Sequence, residues 1–160
     1  MHLKSNLILS LIEACRNTEA PSILEIDMSL FQDVELEHAL QKAGFFIAKI
    51  DIDPIFDKED LFNSILLNCH CPYFGFNWDS VIDCLSDFSW EPAKGYMILY
   101  KDPSHLDESD LGVFLNVVLD EIVIRWKSRN IPFKLIVSKE AYKNLGIMLI
   151  NNNTLPKPKN

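Results

Sequence analysis

Neither lysine nor arginine occurs between Glu59 and Ala93, a span that holds six acidic residues. Residues 1–50 carry seven acids and four bases, residues 51–91 nine and one, and residues 92–160 seven and ten. The middle block alone therefore has an acidic excess equal to the whole chain's net charge of −8. A chain of this balance repels phosphate backbones instead of releasing their counterions, which argues against a nucleic-acid partner and for a basic one.

Other absences narrow the class further. No stretch approaches the roughly 18 apolar residues of a membrane span. No secretory leader is visible, since the start offers only Lys4 and a short apolar run interrupted by acid. The four cysteines are Cys15, Cys69, Cys71 and Cys84. Cys69-His70-Cys71 is too tightly spaced for a usual zinc pair, and no second Cys/His pair follows, so neither a metal nor another cofactor is expected. Free thiols in a reducing cytoplasm are the expectation. No internal repeat is present. With 48% hydrophobic and 24% charged residues, the 160-residue chain suits one compact domain.

What is present alternates between helical and strand patterns. Leu7, Ile8, Leu11, Ile12 and Cys15 fall at helical spacing, and "SILEI" (22–26) reads as a short strand. Asp33 is placed to cap a helix that Gly44 stops, and "FFIAKIDI" (45–52) alternates as a strand does. Asp57 caps a helix to about Asn68. After the loop "HCPYFGF", Asn77 caps a helix to about Asp87. "GYMILY" (95–100) reads as a central strand buried on both faces. A long amphipathic helix spans roughly Glu108 to Ser128, Pro132 breaks it, and "FKLIV" (133–137) is the next strand. Residues 139–150 read as a helical turn followed by another short strand, and "NNNTLPKPKN" as a frayed tail. The expected class is α/β, with a small, mainly parallel sheet of three core strands and one or two more, packed by helices.

The helix after Asn77 raises the functional question. Asp79, Asp83 and Asp87 recur every fourth residue opposite an apolar stripe of Trp78, Val81, Ile82 and Leu85. Like charges at this spacing cost an isolated helix about 0.2–0.5 kcal/mol per pair, and no neighbour in sequence offsets them. A solvated face is the plain explanation for most such stripes. Here Tyr73, Phe74 and Phe76 crowd the preceding loop, while Phe88 and Trp90 follow the helix; aromatics beside charge suit a binding hot spot, and equally a core plug. Nothing resembling a nucleophile and base surrounds the aspartates. The residues thus favour an anionic docking surface, since guanidinium groups grip carboxylate and phosphate alike.

"YFGFNWDSVIDCL" (73–85) closely resembles the aromatic pair, Gly, Asn, two Asp and Cys that mark the barstar family of ribonuclease inhibitors. "SWEPAKGYMILY" (89–100) and "VLDEIVIRWKSRNIPFKLIV" (118–137) resemble later family segments, so the likeness covers roughly residues 46–138. The resemblance implies a barstar-like domain over 46–138, an N-terminal extension over 1–45 packed on it, and a C-terminal extension with a tail over 139–160. It implies an intracellular inhibitor or immunity protein, not an enzyme, that plugs the active site of a small basic ribonuclease or nuclease toxin in a one-to-one complex. Tyr73, Phe74 and Gly75 match the family's binding loop, and Asn77 the residue opening its inhibitory helix. Asp79 and Asp83 match the two aspartates that meet the nuclease's basic catalytic groups, and Ser86 a threonine that touches the enzyme. Ile82 stands for an interface tryptophan, Phe88 for another tryptophan, and Asp87 for a glycine. Arg125 falls where the family has a glutamate that assists binding. Two other readings stand beside this one: an interaction module of the same fold docked on a non-nuclease basic protein, and a hydrolase using Asp79, Asp83 and His70.

Overall fold

The computed structural model describes residues 2–153. Most of the tail segment read as frayed, residues 154–160, lies outside the described residues. The elements run α1 (His2–Arg16), β1 (Ile23–Ile26), α2 (Val34–Lys42), β2 (Phe45–Lys49), α3 (Lys58–Asn68), α4 (Trp78–Asp87) and β3 (Gly95–Leu99). The expected long helix follows in three continuous parts: α5 (Glu108–Val113), a π-helical segment (Phe114–Val118) and α6 (Leu119–Ser128). Then come β4 (Phe133–Ser138) and α7 (Lys139–Asn153). Short 3₁₀ turns lie at Met28–Gln32 and Pro103–His105.

All pairings in the sheet are parallel, in the order β1-β4-β3-β2. This is the α/β architecture expected, with a fourth strand, β1, on the edge beside β4. The two inner strands, β3 and β4, are buried at every position, as continuous apolar runs flanked by helices on both sides require. On one face Leu61, Phe62, Ile65, Val81, Leu85, Phe114, Val118, Ile122 and Trp126 pack against Tyr96 and Ile98, bringing α3, α4 and the long helix together. On the other, Ile8, Leu11, Leu36 and Leu40 of α1 and α2 cover Met97, Leu99 and Ile136.

Local chemistry sets the boundaries. Asp33 accepts from the Glu35 and Leu36 amides to start α2, and Asp57 accepts from Asp60 to start α3. Gly44, at φ +97°, makes the turn from α2 into β2, in backbone space that other residues resist. The strand expected within residues 139–150 does not form. Ser138 Oγ accepts from the Ala141 amide, and the buried pair Ala141 and Leu145, four residues apart, sets a helical period through that apolar stretch.

Lys134, on β4, is buried with its ammonium donating to the carbonyls of Asn17, Ala20 and Pro21 at 2.8, 2.9 and 3.2 Å. Burial lowers its pKa, yet three carbonyl oxygens replace its water. It fastens the α1–β1 connection to the sheet.

Among the described residues no helix is long and apolar enough to cross a membrane.

Candidate acidic docking surface

The loop before α4 is held by a closed set of short-range hydrogen bonds. Asn77 Oδ1 accepts from the Ser80 amide at 2.8 Å, and its Nδ2 donates to the Gly75 carbonyl at 3.1 Å. The Gly75 amide in turn donates to Ser80 Oγ at 2.9 Å. A Cβ on Gly75 would sit 3.0 Å from that same Oγ, so the crossing needs glycine or a shift of Ser80. Ser80 was not among the residues expected to shape the site; its place three residues after the cap, where a side chain can reach back to the loop, was the available signal.

The aromatic loop is split between core and surface. Phe74 is half-buried, edge-on to Phe62 and Phe76, so it acts partly as a plug. Tyr73 and Phe76 are 45% and 47% exposed. Phe76 holds φ +50°, a left-handed conformation that non-glycine residues seldom adopt. Tyr73 packs edge-on against Trp90 and donates its hydroxyl to Asp87 at 2.6 Å. Burial, then that hydrogen bond and the charges of Asp87 and Asp83, push the Tyr73 phenol up to about 12. The same contact, helped by Ser89 and the charge of Arg129, holds the Asp87 carboxyl below its ordinary value.

The far end of α4 is docked by the long helix. Trp126 Nε1 donates to the Leu85 carbonyl at 2.6 Å, and Arg129, stacked over the Trp126 ring, donates to the Ser86 carbonyl. Two carbonyls at the end of α4 are thus satisfied from α6 and the residue that caps it. With its end fixed in this way, α4 presents a defined outer face. Asp79 is exposed, and Asp83 is 61% exposed. With half-buried Ile82 they line a shallow cleft of about 440 Å³, closed opposite by Val117, Glu121 and Arg125.

Four sequence expectations need correction. Ser86 is only 2% exposed and Phe88 is fully buried, so neither side chain lies on the outer face. Phe88 ends α4 in a left-handed conformation, on the buried stripe of the helix, with its ring stacked on Tyr96 at 4.6 Å. The aspartates do not lack a cation: folding brings Arg125 to within 3.7 Å of Asp83, while Asp79 has no ion pair among the described residues. The four thiols are not all free. Cys71 and Cys84 form a disulfide, their Cα atoms 6.1 Å apart, because the loop folds back over the buried side of α4. Cys84 is buried, but is bonded instead of being a thiol; Cys15 and Cys69 stay free, and burial pushes both to about 12.

His70 faces Glu91, its Nδ1 at 3.2 Å, and neither aspartate. The cleft offers carboxylates, one guanidinium and apolar contact, which is equipment for binding.

Residues 45–138 match the family model described as barstar (barnase inhibitor). The chain belongs to the barstar family. No curated protein matches it significantly, and no solved structure does. The barstar match spans β2 to β4 and includes the loop, α4 and the long helix; α1, β1 and α2 precede it and α7 follows.

Proposed function

We propose that this barstar-family chain is an inhibitor or immunity protein that blocks a small basic ribonuclease or nuclease toxin, in a one-to-one complex and without chemistry of its own. The observation that carries the reading is the pair Asp79 and Asp83, both exposed on one face of a helix fastened at both ends and flanked by the exposed rings of Tyr73 and Phe76. A nuclease site built for polyanions offers cations, and fixed carboxylates stand in for phosphates there. Preorganisation matters because little ordering entropy remains to be lost on binding. In this reading residues 46–138 form the inhibitory domain, with 1–45 and 139–160 as additions to it. Tyr73, Phe74, Gly75, Asn77, Asp79, Ile82, Asp83 and Asp87 make or shape the contact surface.

The test is inhibition of RNA cleavage by barnase and by basic ribonucleases encoded alongside this chain. Inhibition is expected to weaken with salt, and Asp79→Asn and Asp83→Asn are each expected to lose at least about 2 kcal/mol of affinity, as buried interface charges do. Complex formation indifferent to both substitutions would remove the assignment. A second reading, a module of the same fold docked on a non-nuclease basic protein, is favoured by one observation: Arg125 puts a cation inside the acidic cleft. Co-purification of a basic protein without nuclease activity would select it.

A further inference from the structure

The cleft beside α4 is not uniformly acidic. Asp79 and Asp83 line it from α4, Glu121 and Arg125 from α6, and Ile82 and Val117 complete the lining. Arg125 Nε donates to Glu121 at 3.2 Å. Its Nη1 lies 3.7 Å from Asp83 Oδ1, outside hydrogen-bond range, so that ion pair is loose. A guanidinium has five N–H donors in a rigid fork. Among the described residues only the Nε donor of Arg125 finds an acceptor, and the side chain is 40% exposed. Its Nη1 and Nη2 donors are therefore left to solvent.

We infer that Arg125 is a specificity-determining residue that requires a partner face of two signs: a cation for Asp79 and Asp83, and a carboxylate for Arg125. The inference rests on the docking reading above and adds the sign of a second contact. Covering Arg125 strips water from donors that then need an acceptor. A carboxylate meets the two parallel N–H groups of the free edge in the geometry that guanidinium favours. A partner cation placed there would meet a like charge held at the side of Asp83, a repulsive element that selects against a uniformly basic partner. Glu121, which bonds Nε, keeps the guanidinium in the cleft.

Two peptide probes separate the cases: hexa-arginine, and a hexapeptide alternating arginine and aspartate. Binding of each is followed by the NMR shifts of the Asp79 and Asp83 side-chain carboxyls in the full chain. The quantity read is the ratio of the two affinities in wild type, Arg125→Ala and Arg125→Lys. Arg125→Ala is expected to move the ratio roughly three- to tenfold toward hexa-arginine, and Arg125→Lys, which keeps the charge but loses the fork, to move it in the same direction by less. A ratio unchanged in Arg125→Ala, with hexa-arginine still shifting both aspartates, overturns the role of Arg125 alone. If neither peptide shifts Asp79 or Asp83, the docking surface falls and this inference with it.

Discussion

The hydroxyl of Tyr73 donates to the carboxylate of Asp87 across 2.6 Å, tying the first aromatic residue of the loop to the last residue of α4. The two groups pull each other's proton equilibria in opposite directions. Asp87 is held below its ordinary value, first by the Tyr73 hydroxyl, so the fold favours the carboxylate. Its contribution is full above the ordinary aspartate range and is lost as pH falls through the depressed value. Tyr73 is raised to about 12, so the fold favours the phenol; that contribution is full below the ordinary tyrosine value and is lost as pH rises through about 12. Asp87→Asn should lower the Tyr73 midpoint in an ultraviolet pH titration without returning it fully, since burial is the larger cause. A midpoint unmoved by the substitution would mean that the pair does not exist in solution.

Trp126 holds α4 through one indole N–H, and the ring around that N–H is part of the core. Trp126→Phe keeps most of the ring and removes the donor, leaving the Leu85 carbonyl unpaired. The expected cost is about 1–3 kcal/mol, read as a lower urea midpoint at unchanged slope. The amides of α4 should exchange faster than those of β3 in the same variant. Uniform acceleration across the sheet would show instead that the indole supports the whole core and not α4 in particular.

Lys134 is the one buried cation among the described residues, and its three acceptors are all backbone carbonyls between Asn17 and Pro21. Lys134→Met preserves the stem and removes the ammonium. A loss of about 1.5–3 kcal/mol is expected, the scale of hydrogen bonds to a charged group. Limited proteolysis should then cut first between α1 and β1. Cleavage beginning elsewhere would separate the stability loss from this anchor.

How much of this was readable in the chain depends on the distance over which each cause acts. Asp33, Asp57 and Asn77 cap their helices within three residues, so the starts of α2, α3 and α4 followed directly from the sequence. The parallel inner strands were legible because continuous apolar runs require cover on both faces. The exposed aspartates were legible as the polar side of an amphipathic period. The resemblance set Arg125 at a contact position, but its pairing with Asp83 was not legible, because that approach depends on how α6 crosses α4, a packing relation that no local pattern encodes. Phe88 was misplaced because its expected role came from the resemblance; it falls seven residues after Val81 and three after Leu85, on the buried stripe of the helix, where it packs on Tyr96. The helix over 139–153 was masked by an apolar run too short to distinguish from a strand by periodicity. Cys71 and Cys84 gave no signal, since pairing depends on the three-dimensional return of the loop.

That disulfide supports the last prediction. Its ends are 13 residues apart and enclose Tyr73, Gly75, Asn77, Asp79 and Asp83. A covalent loop of that length restricts the unfolded chain, and the chain-entropy relation gives about 2–3 kcal/mol of stability for it. Reduction, or Cys71→Ser, should therefore lower the unfolding free energy by that amount, read as a lower denaturant midpoint, and reductant should have no further effect on Cys71→Ser. Between residues 72 and 77 the consequence differs, because the crossed bonds of Gly75, Asn77 and Ser80 remain after the sulfur link is broken. If those bonds define the loop, amide exchange there rises only by the global loss of stability and α4 keeps its start at Asn77. Exchange that rises in the loop well beyond the global change would assign the positioning of Tyr73 and Phe76 to the disulfide, making the docking surface sensitive to the redox state of its surroundings. Equal midpoints with and without reductant would show that the two sulfurs are not bonded in the folded protein.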